Sequence, residues 1–166
     1  MRLVVADTGP VNYLILTGDI DLLLALFEKV ILPEAVHVEL IDVGAPSPVR
    51  NWIANPPAWI EVGATPAGYF DMNPLGGIDT GEKSAIALAD TLKSEMLLMD
   101  DRKGVKAARS KGLRVTGTLG ILELASRAGL IDFAQAVARL RRTNFRSLEA
   151  LLDALLKRHA REDGDA

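Results

Sequence analysis

The sequence has no cysteine and only two histidines, His37 and His159. The first absence excludes a disulfide framework and thiolate zinc centres, and the second excludes a histidine-rich metal site. Any metal here must be held by oxygens, which favours magnesium (Mg2+) or manganese (Mn2+) over zinc. Aromatic residues make up 5% of the chain, leaving little on which nucleic-acid bases could stack. No apolar run approaches the length of a membrane span, and the N-terminal MRLVVADTGPVNYLIL lacks the long apolar core and small-residue cleavage site of a signal peptide, so a cytoplasmic location is expected. Excess positive charge is also lacking. A net charge of -3 argues against a protein that coats nucleic acid by bulk electrostatics, though a local basic groove remains compatible with it.

What is present is a chain of 166 residues that is 49% hydrophobic, enough for one domain with a sizeable core. The expected boundaries are 1–160 for the domain and 161–166 for a frayed tail. Its most informative stretch is Gly76 to Ala108. Asp79 or Thr80 can cap a helix, and Glu82 stands three residues beyond Asp79 as a capping box asks, so a helix is predicted from about Thr80 to Leu92. Met96 to Met99, short and wholly apolar, reads as a buried strand that ends on Asp100-Asp101. Two carboxylates at a strand end are costly to hold together unless something positive sits beside them. Glu82 shares its helical face with Ala85, Ile86 and Ala89, so it points inward, either to close the capping box alone or to join those acids.

Other segments repeat the theme. Arg2 to Ala6 is a β-prone run that stops at Asp7-Thr8-Gly9-Pro10, a strand-to-helix turn with a carboxylate at the strand's end; Asp7 is a helix cap or something more. Helices are predicted through Val11 to Leu16, with Gly18 as the stop, and over Asp19 to Glu28. Lys29 to Leu32 is the next strand. Pro33 opens a helix in which Glu39 falls alongside Val36 and Leu40, again on an apolar stripe, with His37 displaced to the surface. A short helix around Val49 to Ala54, a strand at Trp59 to Val62 and a loop from Gly63 to Gly77 complete the first half. Beyond Asp101, the pattern gives a helix from Arg102 to Lys111, a strand at Leu113 to Thr116, and helices from Gly117 to Gly129, Ile131 to Arg142 and Ser147 to Arg158. The leucines of the last are expected to pack on the domain itself.

Alternating strands and helices with crossover-length connections argue for a parallel sheet covered on both faces. In such sheets ligands bind beyond the strands' carboxyl ends, where Asp7 and Asp100-Asp101 fall. Four or more converging carboxylates without a lysine or arginine would repel, and a divalent cation resolves the conflict.

Four segments, D-T-G-P-V-N at Asp7 to Asn12, P-E-A-V-H-V-E at Pro33 to Glu39, D-T-G-E-K-S-A-I at Asp79 to Ile86 and L-L-M-D-D-R at Leu97 to Arg102, together resemble the PIN-domain family, most closely its prokaryotic branch of toxin ribonucleases from toxin–antitoxin operons. The resemblance covers about Leu3 to Gly129. It implies a three-layer α/β/α fold with a central parallel sheet of about five strands. It also implies a Mg2+- or Mn2+-dependent endoribonuclease, often a homodimer inhibited by an antitoxin. Metal-coordinating and catalytic roles would fall on Asp7, Glu39, Glu82 and Asp101, with Asp100 as alternative or partner, and supporting roles on Thr8, Asn12 and Asp79. Many toxin members carry aspartate where this chain has Glu82. RNA would be met by Arg102, Lys103, Lys106 and Arg109 after the acidic pair, or by Arg139, Arg141, Arg142 and Arg146, unless these runs are merely solvated faces. Competing expectations are a PIN-like module that binds RNA or protein without cutting, and a haloacid-dehalogenase- or receiver-like phosphotransfer protein. Against the last, Gly9 stands where the former needs an acid and no matching lysine strand-end is visible for the latter.

Overall fold

A computed structural model describes residues 2–72, 74–146 and 149–165. In chain order the elements are β1 (Leu3–Ala6), α1 (Thr8–Thr17), α2 (Leu22–Leu26), β2 (Lys29–Pro33), α3 (Glu34–Ile41), α4 (Ser47–Ala54), β3 (Ile60–Gly63), α5 (Tyr69–Met72), α6 (Thr80–Leu92), β4 (Met96–Leu98), α7 (Arg102–Ser110), β5 (Val115–Thr116), α8 (Thr118–Arg127), α9 (Phe133–Arg141) and α10 (Glu149–Gly164). The five strands form one sheet in the order β3-β2-β1-β4-β5, with every pairing parallel. The chain therefore builds outward from β1 on one side, then crosses to build β4 and β5 on the other. The reversal falls between β1 and β4, whose register pairs Ala6 with Leu98. Asp7 N–H donates to Leu98 O at 2.9 Å, so both strands end at the same level. This is the topological switch point of an open α/β sheet, where the strand ends leave a crevice.

Strand alternation divides the core into two faces. Val4, Ala6, Val30, Leu32 and Leu98 pack on one side with Val11, Leu14, Val36, Leu40, Ile121, Leu122 and Val137, burying α1, α3, α8 and α9. Val5, Ile31, Leu97 and Met99 pack on the other with Ala85, Ile86, Leu88, Ala89 and Ala108, burying α6 and α7. The result is the three-layer α/β/α arrangement expected from the sequence. Among the described residues no helix is long and apolar enough to cross a membrane.

Several local departures have physical causes. Only Leu22–Leu26 of the apolar stretch Asp19 to Glu28 is helical. Gly18, at φ 80°, closes α1, and Asp19 N–H is taken by Leu14 O; at the other end Phe27 is already extended toward β2. The loop before α6 contains the single turn α5, and Tyr69 Oη donates to Asp90 Oδ2 at 2.8 Å, tying that loop to α6. His37 is half-buried rather than on the surface. The tail expected to fray from Arg161 instead continues α10 to Gly164, because no breaker interrupts it sooner and Arg161 suits the negative end of the helix dipole. Leu152 and Leu155 of α10 join the core, as the home-packing expectation has it, while Leu151 is exposed. Ser147 and Leu148, where that helix was expected to begin, lie outside the described residues, as do Asn73 in the loop before α6 and Ala166 in the tail.

Candidate active site

Asp7 and Glu82 are the two charged side chains most deeply set at the switch point, 7% and 8% exposed. Asp7 holds its place because β1 ends there; it takes the N-cap position of α1 without a side-chain cap bond. Glu82 is fixed by a complete capping box. Its own N–H donates to Asp79 Oδ1 at 2.8 Å, and its Oε2 accepts from Asp79 N–H at 3.4 Å. Glu82 therefore closes the capping box and is at the same time buried.

Glu39 arrives from α3. Val36 and Leu40 of that helix face the core, and Glu39 lies at the exposed margin of their stripe. Its carboxylate accepts a short hydrogen bond from Thr8 Oγ1 and rests against the first turn of α6. Gly81 makes this approach possible, since a Cβ there would stand 2.6 Å from Glu39 Oε1. At Gly104 of α7 the close neighbour is different: a Cβ there would lie 2.5 Å from Met99 Sδ, while Glu82 Oε2 would stand at an ordinary contact distance of 3.4 Å. Gly81 thus brings the start of α6 up to a carboxylate, and Gly104 lets α7 pack on Met99.

The acidic pair after β4 divides. Asp101 caps α7, accepting from Lys103 N–H at 2.9 Å and Gly104 N–H at 3.1 Å. Asp100 turns toward α8, where Thr118 N–H and Oγ1 each donate to it at 2.7 Å, and it lies close over Gly9 and Gly117. Asn12 lines a groove of about 500 Å³ with Thr8, Glu39 and Asp42, on the side of the crevice away from α7.

The charges have consequences. Burial pushes the Asp7 carboxyl up from 3.8 to about 7, opposed by the Thr8 N–H and reinforced by Glu82, Asp79 and Glu39. Burial likewise raises Glu82 from 4.5 to about 7, with Asp79 and Asp101 adding to it. Asp100 is raised by burial and pulled back by its two Thr118 bonds. Among the described residues no lysine or arginine forms an ion pair with any of these carboxylates. Asp7, Glu39, Asp79, Glu82 and Asp101 are therefore one electrostatic community without a protein cation, and Asp100 stands at its edge.

The donor set, all carboxylate oxygen, fits a hard divalent cation such as Mg2+ or Mn2+. The side chains are not gathered onto a point: among the described residues no three acidic or imidazole groups stand close enough to hold an ion between them. Their oxygens are instead engaged with Thr8, Asp79 N–H and the first amides of α7 and α8, the bonds a cation would have to replace.

The basic clusters also separate. Arg102, Lys103, Lys106 and Arg109 are exposed on α7 beside the crevice. Arg139 is committed elsewhere, bonded through Nη2 to the buried Asp19 carboxylate at 2.9 Å, and Arg141 pairs with Glu149 and Asp153. Arg142 and Arg146 are exposed on the α9 side. Sequence reasoning did not single out Thr118, Gly81 or Gly104. A threonine beginning a helix and a glycine in a first turn have ordinary local explanations, and only the packing of distant elements shows what they touch.

An all-parallel three-layer domain with buried, uncompensated carboxylates at its switch point defines a class of acid-lined α/β domains suited to cation-assisted chemistry. The model of the PIN domain matches residues 3–161, and the chain belongs to the PIN-domain family. Nuclease-type function and divalent-metal dependence follow at that general level, and the phosphotransfer alternative is set aside. Curated proteins match more narrowly. Protein sey1 of Pyrenophora tritici-repentis is 31% identical over 93 residues, 52% of this chain and 9% of that protein. Protein SEY1 of Ajellomyces capsulatus is 32% identical over 73 residues, 44% of this chain and 7% of that protein. The chain spans less than a tenth of the length of these relatives, which carry no argument about its activity.

Proposed function

We propose that the protein is an endoribonuclease that hydrolyses RNA phosphodiester bonds with Mg2+ or Mn2+. The observation that carries this reading is the pair Asp7 and Glu82, buried at the switch point, raised to about 7 and left without a protein cation. Asp7, Glu39, Glu82 and Asp101 are the proposed metal-binding and catalytic residues, with Asp100 as an adjacent carboxylate. When bound, the divalent ion would supply an activated water and stabilise charge on the leaving oxygen. Thr8 orients Glu39 through its hydroxyl, Asp79 fixes Glu82 through the capping box, and Asn12 lines the groove beside them. The exposed cations of α7 receive the phosphates flanking the scissile bond.

Within this reading the chain acts in the cytoplasm as a homodimer, as the toxin of a toxin–antitoxin pair. A small adjacent reading frame with a DNA-binding pattern would supply the antitoxin. Cleavage of labelled RNA tests the activity. It is expected to require Mg2+ or Mn2+, to stop in chelator, and to be lost in Asp7→Asn and Asp101→Asn variants that still fold. Unchanged cleavage in both variants removes the proposal. A second reading, a PIN-like module that binds RNA or protein without cutting, draws support from the engagement of the acid oxygens in helix caps; it expects RNA or partner binding with no cleavage under any metal.

A further inference from the structure

The cations of α7, given above to the phosphates flanking the scissile bond, belong to a longer pattern. Arg102, Lys106 and Arg109 recur at helical spacing on one exposed face of α7. With Asp100 and Val105 they line a groove of about 350 Å³. Arg109 also lines a second groove of about 440 Å³ over the β5 edge of the sheet, with Arg114, Thr116, Gly120, Arg127 and one carboxylate, Glu123, which Arg158 and Arg127 approach. Arg109 borders both depressions, which follow one another from the acidic crevice, along α7, to the open side of the sheet.

The charges on this path are uncommitted. Among the described residues Arg102, Lys103, Lys106, Arg109 and Arg114 form no ion pair, although acids outnumber bases in the chain by 22 to 19. Only Arg127, at the far end, approaches a carboxylate, that of Glu123 at 3.9 Å. In the α9 cluster, Arg139 is neutralised by Asp19 and Arg141 by Glu149 and Asp153, while Arg142 and Arg146 form no ion pair among the described residues. A run of unpaired like charges leading away from a site of phosphodiester chemistry is complementary to the backbone of the substrate strand. Depressions of about 350 and 440 Å³ match a few nucleotides of a single flexible strand better than the body of a duplex. They offer no aromatic platform, so recognition rests on phosphates.

Resting on the ribonuclease reading, we infer that single-stranded RNA leaves the acidic crevice along α7 and over the β5 edge, its phosphates held by Arg102, Lys106, Arg109 and Arg114. Arg139 and Arg141, already neutralised, take no part. These contacts are ionic and independent of any divalent metal, so they can be measured in chelator, where cleavage is blocked.

The experiment is fluorescence anisotropy of the full chain with a labelled oligouridine of about twenty nucleotides, at several salt concentrations. Each lost phosphate contact on a single strand lowers the slope of log K against log salt by about 0.7, so Arg109→Ala with Arg114→Ala is expected to lower it by about 1.4. Arg109→Lys with Arg114→Lys retains the slope, Arg142→Ala with Arg146→Ala leaves it unchanged, and a duplex of equal length binds more weakly. An unchanged slope in the first double variant, a loss confined to the Arg142 and Arg146 variant, or equally tight duplex binding overturns the path. If the wild type cleaves RNA while the slope ignores Arg109 and Arg114, the path fails and the ribonuclease reading survives. A wild type that neither binds nor cleaves RNA removes both.

Discussion

Replacing Asp7 with asparagine is expected to stabilise the metal-free protein at alkaline pH while abolishing its activity. The folded-state value of the Asp7 carboxyl is about 7 against 3.8 for the free side chain. A carboxyl whose folded value is raised keeps its proton longer in the native than in the unfolded chain. The native state then binds more protons between about pH 4 and pH 7, so stability falls as pH rises through that window and stays at its lower level above it. Three units correspond to a ceiling of about 4 kcal/mol, and coupling to Glu82 and Glu39 makes about 2 kcal/mol a reasonable reading. Asparagine has nearly the same shape and cannot ionise. Urea unfolding in chelator at pH 8 should therefore show the variant more stable than wild type, and at pH 4 the advantage should vanish. Adding Mg2+ at pH 8 should narrow the gap by stabilising the wild type alone. A variant that is less stable at pH 8, or equally displaced at both pH values, refutes the idea that Asp7 is held at an electrostatic cost.

Other substitutions probe separate parts of the account. Gly81→Ala should push the Glu39 carboxylate off its seat beside Thr8, because its Cβ would stand 2.6 Å from Oε1, and should lower cleavage at least tenfold with the fold intact by circular dichroism. Arg139→Ala leaves the buried Asp19 unpaired and should cost about 2 kcal/mol in denaturant unfolding without changing the salt dependence of RNA binding. Lys93, at φ 51°, closes α6 in the left-handed region, so Lys93→Gly should stabilise by about 1 kcal/mol. That gain should appear as a melting point raised by about 2–4 °C, with activity unaltered.

The local features of the site were the legible ones. The capping box of Asp79 and Glu82, the extent of α6 and the ending of β4 on two acids follow from chemistry within a few residues. Strand and helix alternation sufficed for the parallel three-layer fold. What the sequence hid lies across long separations. Asp100 bonds Thr118, 18 residues on, and Arg139 reaches 120 residues back to Asp19. Neither pair has a signature in local spacing. This is why Arg139 read as a nucleic-acid contact when its charge belongs to the scaffold. Gly18 closes α1 and draws Asp19 into its turn, shortening a helix that hydrophobic pattern alone would extend.

The most direct measurement is calorimetric titration of Mn2+ into the wild type and into the Asp7→Asn and Glu82→Gln variants, at pH 8 and at pH 5.5. The wild type should bind at pH 8, more weakly at pH 5.5 where protons compete for the same carboxylates, and each variant should lose the heat of binding. Identical titrations for all three proteins, or none for the wild type at pH 8, would contradict the claim that the acids at the β1–β4 crevice are there to receive a cation.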